Sequence, residues 1–217
     1  MRYLSAPFLV LLLWLSCASV FGAQLNAQTA SIELTVEIVS QQYCRINAET
    51  TSLQMKLRLR YRNASNQKLI LYKGHDLFYQ TKIRSVVSEG AGRPYEVIFL
   101  NSRFFDEEFE PIEQPSPSRV FVILPPGAAY ERELTVNVPV VDVEAKRGNH
   151  AIKAGEHNLL LVISTWYKSR PLAQKLRQLW ERKGLLWFEP VVSTPIRFTV
   201  QKPDTQTPCV QATHPTS

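Results

Sequence analysis

From Leu53 to Tyr61 the chain alternates without a break. Leu53, Met55, Leu57, Leu59 and Tyr61 are apolar, and they interleave with Gln54, Lys56, Arg58, Arg60 and Arg62. Successive side chains of a strand point to opposite faces, so one side of this segment can be buried and the other wetted only if it is extended. A helix would scatter the same five apolar residues around its circumference. Ile32, Leu34, Val36 and Ile38 alternate with Ser31, Glu33, Thr35 and Glu37 in the same way. Two such segments commit the chain to a sheet with one wet face.

The polar stretch Asn63 to Lys68 reads as a turn, and Leu69 to Tyr72 after it as a strand returning in a hairpin. Lys73-Gly74-His75-Asp76 predicts another turn, with short strands at Leu77 to Ile83 and Tyr95 to Leu100. Acids and prolines between Asn101 and Ser118 predict a loop. Arg119 to Leu124, the turn Pro125-Pro126-Gly127, and the alternating Leu134, Val136, Val138 and Val140 predict a second strand pair. Asp142 to Gly155 is polar loop, His157 to Trp166 is apolar enough for a central strand, and Ile196, Phe198 and Val200 form the last one. Fourteen prolines against eight glycines suit strands joined by stiff turns.

One segment changes period. Leu172, Leu176, Leu179 and Trp180 fall on one helical face, Ser169 stands at the cap position, Pro171 in the first turn, and Gly184 can end the helix. The fold expected is all-β. It is a two-sheet antiparallel immunoglobulin-like sandwich with one amphipathic helix, over about 170–183, inserted between the last two of eight or nine strands. A closed barrel is the alternative. With 45% hydrophobic and 20% charged residues, the chain can bury a core of its own.

Arg2 followed by the apolar run Phe8 to Leu15 and the small residues Ser16, Ala18, Ser19, Gly22 and Ala23 has the order of a secretory signal. The run is too short for a spanning helix, so the mature chain is expected to have no transmembrane segment. The expected organisation is a signal over 1–22, a sandwich over 28–202 and a flexible tail over 203–217. Export to a periplasm or outside the cell follows, with lipid attachment at Cys17 as the alternative localisation. Loss of the signal removes Arg2, so the formal charge of +6 becomes +5. Cys44 and Cys209 then remain, and two cysteines in an exported chain most simply form one bridge.

The turn chemistry carries a resemblance. Asn63-Ala64-Ser65 follows a long strand, Pro125-Pro126-Gly127 precedes one, Ala154-Gly155 opens an apolar strand, and Val192-Ser193-Thr194-Pro195 opens the last. Over roughly Ile32 to Val200 this resembles small bacterial immunoglobulin-like domains, including the intracellular proteinase inhibitor (BsuPI) family. The resemblance implies the sandwich fold; the expected export and the helical insertion are departures from that family.

No catalytic template fits. There is no G-x-S-x-G elbow, no H-E-x-x-H, no phosphate-binding glycine loop, and His75, His150, His157 and His214 have no ligand spacing. No cofactor and no metal site are expected, and His157 reads as a packed residue of an apolar strand. Asp106, Glu107, Glu108, Glu110 and Glu113 lack the spacing and glycine of a calcium loop. Two basic features stand out. Lys56, Arg58, Arg60 and Arg62 form a ladder on one strand face, suited to an anionic partner or to pairing with Glu33 and Glu37. Lys168, Arg170, Lys175, Arg177, Arg182 and Lys183 surround the helix. No aromatic residue shares the strand face of the arginines, since Tyr61 alternates to the opposite side, which argues against nucleic acid. The function expected is an exported, non-catalytic binding or scaffold module, not an enzyme, whose partner is a protein or an anionic surface polymer. The alternative is a protease inhibitor acting through the loop Asn101 to Ser118.

Overall fold

The uninterrupted alternation becomes the spine of the molecule. In the computed structural model, which describes residues 31–45, 51–73, 78–86, 95–101, 115–141, 151–166 and 169–201, Thr51–Asn63 forms a long strand, β2. It lies between β1 (Ile32–Arg45) and β7 (Ala129–Val140) in an antiparallel front sheet. Leu53, Met55, Leu57, Leu59 and Tyr61 are all buried on its inner face. Side chains of this size stabilise by about 1.5–3 kcal/mol each on full burial. The expected signal 1–22, Cys17, the tail 203–217 and the acidic stretch 106–113 lie outside the described residues.

The rear sheet is built on β8 (Gly155–Ser164), central as its apolar composition predicts. Its neighbours are β4 (Phe78–Ser85) on one side, followed by β5 (Glu96–Asn101), and β10 (Val191–Val192) with β11 (Ile196–Val200) on the other. The inner faces of both sheets contribute to one core, which includes Val136 and Val138 of β7 and Leu159, Leu161 and Ile163 of β8. The order β1-β2-β7 facing β11-β8-β4-β5 corresponds to strands A-B-E and G-F-C-C′ of an immunoglobulin sandwich. Among the described residues the front sheet and the chain of the rear sheet are linked only by two isolated parallel bridges, Leu34–Ser193 and Val140–Ile152, so the sheets do not close into a barrel. The first bridge leads toward β11. From that bridge onward the chain leading into β11 follows β1 in direction. The two meet again where the Gln201 N–H donates to the Tyr43 hydroxyl at 2.9 Å.

A small third sheet corrects two expectations. The predicted hairpin of 53–61 with 69–72, and the predicted pair of 119–124 with 134–140, do not form. Instead β3 (Leu69–Tyr72) pairs with β6 (Phe121–Leu124), while β2 pairs with β7. One two-stranded ribbon therefore runs through both sheets and turns a corner, with 63–68 facing 125–128. The reason lies in β3, all four of whose residues are buried. A hairpin laid on a sheet with one wet face could not cover both sides of such a strand.

Asn63 fixes the corner. Its Nδ2 donates to the carbonyls of Gln67 and Leu124, both at 2.8 Å, and its Oδ1 accepts from the Ser65 amide at 2.9 Å and the Ser65 hydroxyl at 2.7 Å. Its backbone pairs with Ala128 and Gly127 across the ribbon. Such Asx geometry offers the backbone a turn in place of continued strand.

The helix covers the corner sheet. It runs over Arg170–Leu179, shorter than the expected 170–183, and leads through turns to Gly184. The expected side-chain cap by Ser169 is absent; the Ser169 carbonyl instead accepts from the Ala173 amide and the Trp166 indole. Ala173, Leu176 and Trp180 are buried, whereas Leu179 is 44% exposed. The buried face is thus turned toward Ala173, because the Trp180 indole packs edge-on against Phe121 at 5.0 Å and takes the space beside β6. Gly184 then lets the chain pass close to the corner: a Cβ there would lie 2.9 Å from the Lys68 carbonyl, at a positive φ of 154°. After it β9 (Leu185–Leu186) pairs in parallel with β3. The helix is therefore followed by β9, β10 and β11, and does not sit between the last two strands.

Candidate functional site

Lys56, Arg58, Arg60 and Arg62 do share the outer face of β2, and each is paired across the front sheet. Lys56 reaches Glu133 at 2.7 Å, Arg58 reaches Glu37 at 3.0 Å, Arg60 reaches Glu131 at 3.5 Å and Arg62 reaches Glu33 at 2.9 Å. Strand alternation puts the acids of β1 and β7 on the same face as the cations between them. Four cations thus stand against four carboxylates, and the ladder has little field to offer an anionic polymer. Exposed pairs of this kind contribute about 0–1 kcal/mol each.

The outer face of the rear sheet is different in kind. The register aligns Leu100 of β5 with Gln80 of β4, Val162 of β8 and Val192 of β10, and in the next row Ile98 with Lys82 and Leu160. Alternation points these residues away from the core, on the side opposite Thr81, Ile83, Leu159 and Leu161. Leu100 is 63% exposed, Val192 54% and Ile98 42%. Half-buried Gln80 and Lys82 of β4 stand between Leu100 and Ile98 on one side and Val162 and Leu160 on the other, and half-buried Phe78 continues the face beyond Gln80. A polar row of Glu96, Arg84, Asn158 and Arg197 borders the patch. Sequence reasoning missed this face. The available signal was the unbroken apolar run Val97-Ile98-Phe99-Leu100, which an ordinary terminal strand with one wet face would not carry.

The cations around the helix divide into two groups. Arg170 pairs with Glu189 at 3.0 Å. Arg177 donates from Nε and Nη2 to the Leu186 carbonyl at 3.1 and 2.8 Å, and its guanidinium lies 4.2 Å from the centre of the Phe188 ring. Partial burial lowers the Arg177 pKa from its ordinary value, and Glu189 offsets part of that. Arg182 and Lys183 make no ion pair among the described residues. They line a cleft of about 500 Å³ together with Arg177, Gln178, Glu181 and Gly184 from the helix end, Leu185, and Gln67 and Lys68 from the corner. Lys68 was not singled out in the sequence, because only the corner brings residue 68 beside residue 183. Lys168 lies outside the described residues.

His157 is packed, as expected: it is 1% exposed on the inner face of β8, between Tyr95 and Phe198. Its Nε2 lies 2.9 Å from the Lys153 carbonyl and so carries the proton, leaving Nδ1 buried without a hydrogen-bond partner. Burial lowers its pKa below the usual histidine range, against the smaller opposing effect of the Lys153 carbonyl. His75, His150 and His214 lie outside the described residues, as does most of the loop on which an inhibitor reading rests. Among the described residues no three His, Cys, Asp or Glu side chains gather as a metal site, and no helix is long and apolar enough to cross a membrane.

The turns that carry the family resemblance all serve the architecture. Asn63-Ala64-Ser65 and Pro125-Pro126-Gly127 face each other at the corner, Ala154-Gly155 opens β8, and Ser193 joins β10 to the core. The Ser193 hydroxyl accepts from the Leu161 amide at 3.0 Å, and its own amide donates to the Leu161 carbonyl at 2.9 Å. Cys44 lies near the end of β1, opposite Ser52, and Cys209 lies outside the described residues. No known protein family matches the chain, and no curated protein is similar to it in sequence.

Proposed function

We propose that the chain is an exported, non-catalytic binding module, and that its partner is a protein held on the outer face of the rear sheet. The observation that carries this reading is the contrast between the two outer faces. One is a wetted lattice of paired charges; the other exposes Leu100, Val192 and Ile98 around half-buried Phe78, Leu160 and Val162. A largely apolar face, crossed by Gln80 and Lys82 and bordered by a polar row, has the composition of a protein-binding surface, and a single cation among apolar side chains favours protein over an anionic polymer. Export rests on the order of charge, apolar run and small residues over 1–22.

A Cys44–Cys209 bridge belongs to the same reading. Its support is that Gln201, eight residues before Cys209, is already hydrogen-bonded to Tyr43, the neighbour of Cys44.

The test is a comparative pull-down from the native extracytoplasmic fraction, using wild type, I98D/L100D and R58E/R60E. The reading expects a protein that co-purifies with wild type and with R58E/R60E and is lost with I98D/L100D. Retention by I98D/L100D, or loss with R58E/R60E alone, would assign binding elsewhere.

A further inference from the structure

We infer that the cleft between the end of α1 (Arg170–Leu179) and the ribbon corner is a binding site for a phosphate-bearing ligand. Four cations line it, Lys68, Arg177, Arg182 and Lys183, against the single carboxylate of Glu181. Cations at a helix C-terminus are favoured by the helix dipole, which accounts for Arg182 and Lys183 singly. It does not account for Lys68, which comes from the corner between β2 and β3, or for the convergence of all four on one concavity.

The front sheet is the internal comparison. There each of four neighbouring cations has a carboxylate within 3.5 Å. In the cleft Lys68, Arg182 and Lys183 make no ion pair among the described residues. Like charges brought together without counter-charge cost stability, and an anionic occupant removes that cost.

The class of anion follows from the donors. Arg177 is immobilised by two bonds to the Leu186 carbonyl and by stacking on Phe188. Guanidinium has five N–H donors, so those not aimed at Leu186 are left on a group that loses little entropy when it binds. Exposed lysines around a fixed guanidinium suit a multiply charged oxyanion, and a doubly charged phosphate balances such a site better than one carboxylate. Gln67 and Gln178 add amides that can donate to phosphate oxygens. The cleft, at about 500 Å³, is larger than a lone phosphate needs, so the phosphate is carried by a larger molecule or repeated in it.

The test is titration calorimetry at low salt with pyrophosphate, with acetate, and with vesicles of neutral lipid with or without phosphatidic acid. The proteins are wild type, R182E/K183E and, as a control for charge alone, R58E/R60E. Both substituted residues in the cleft are exposed and outside the core, and a single cooperative unfolding transition in each protein, well above the assay temperature, verifies its fold. Wild type is expected to bind pyrophosphate at least tenfold more tightly than acetate. R182E/K183E is expected to lose at least tenfold in affinity, while R58E/R60E retains it. Vesicle binding that pyrophosphate displaces identifies a lipid headgroup as a source of the phosphate. Pyrophosphate binding with none to vesicles identifies a soluble source. No binding of either by wild type, equal binding of acetate and pyrophosphate, or undiminished binding by R182E/K183E would overturn the inference.

Discussion

Replacing Asn63 by alanine tests how the ribbon is held at its corner. The side chain is fully buried and makes four hydrogen bonds, two as donor and two as acceptor. A buried hydrogen bond contributes about 1 kcal/mol net, but a partner stranded in the interior costs about 1–3 kcal/mol. In N63A the Gln67 carbonyl still accepts from the Ser65 hydroxyl at 3.2 Å, so its loss is partial. The Ser65 amide and the Leu124 carbonyl each lose their bond to this side chain. The expected cost is about 2–4 kcal/mol, which at roughly 2–4 °C per kcal/mol lowers Tm by about 5–15 °C.

N63D separates hydrogen bonding from shape. It keeps both bonds from Ser65 but aims a carboxylate oxygen at the Gln67 and Leu124 carbonyls. It should therefore be no more stable than N63A at neutral pH. Folding there raises the aspartate pKa, because the neutral acid can donate to a carbonyl. The penalty is present above that raised pKa and shrinks as pH falls through it. Urea denaturation of the three proteins at pH 7 and pH 5, each compared with wild type at the same pH, reads both effects. N63A within 0.5 kcal/mol of wild type, or N63D as stable as wild type at pH 7, would show that the turn backbone holds the corner unaided.

Three further outcomes follow. His157 is neutral in the fold and its pKa is lowered by burial, so the unfolded chain takes up a proton that the native chain refuses as pH falls below about 6.5; stability should be level above that range and decline below it. Substituting His157 by phenylalanine should remove that part of the slope between pH 7 and pH 5 in denaturant melts, and an unchanged slope would place the titration elsewhere. Reversing Arg58 and Arg60 to glutamate sets like charges opposite Glu37 and Glu131 and should cost up to about 1 kcal/mol per exposed pair; a melt unchanged at both low and high salt would mean that the ladder contributes nothing. The exported protein, unfolded without reductant, should show no free thiol, and two reactive thiols per chain would refute the Cys44–Cys209 bridge.

The strands were legible where burial is one-sided. Alternation located β1, β2 and β7 because each has one wet face, and it offered Glu33 and Glu37 as partners for the ladder without saying which cation each would meet. Pairing was less legible, because the polar stretch 63–68 has the composition of a hairpin turn and of a corner alike. What distinguishes them is that Leu69-Ile70-Leu71-Tyr72 needs cover on both faces, a tertiary fact visible only once the helix is in place. Two-residue strands such as β9 and β10 have no period to detect. The cleft shares that difficulty, since Lys68 and Lys183 are distant in sequence and become neighbours through Gly184. The rear face is hard to read for the opposite reason: the apolar run Val97-Ile98-Phe99-Leu100 reads as interior until β5 is known to be a terminal strand.

The central claim is that the rear sheet's outer face holds a partner protein. Its most direct measurement places a photo-crosslinking amino acid, one position at a time, at Leu100, Val192 and Glu37 in the full chain produced in its native host. Irradiation of intact cells is expected to give one adduct of the same mass from Leu100 and Val192, and none from Glu37 on the front sheet. Adducts from Glu37 but not from Leu100 or Val192, or no adduct from any of the three, would contradict the claim.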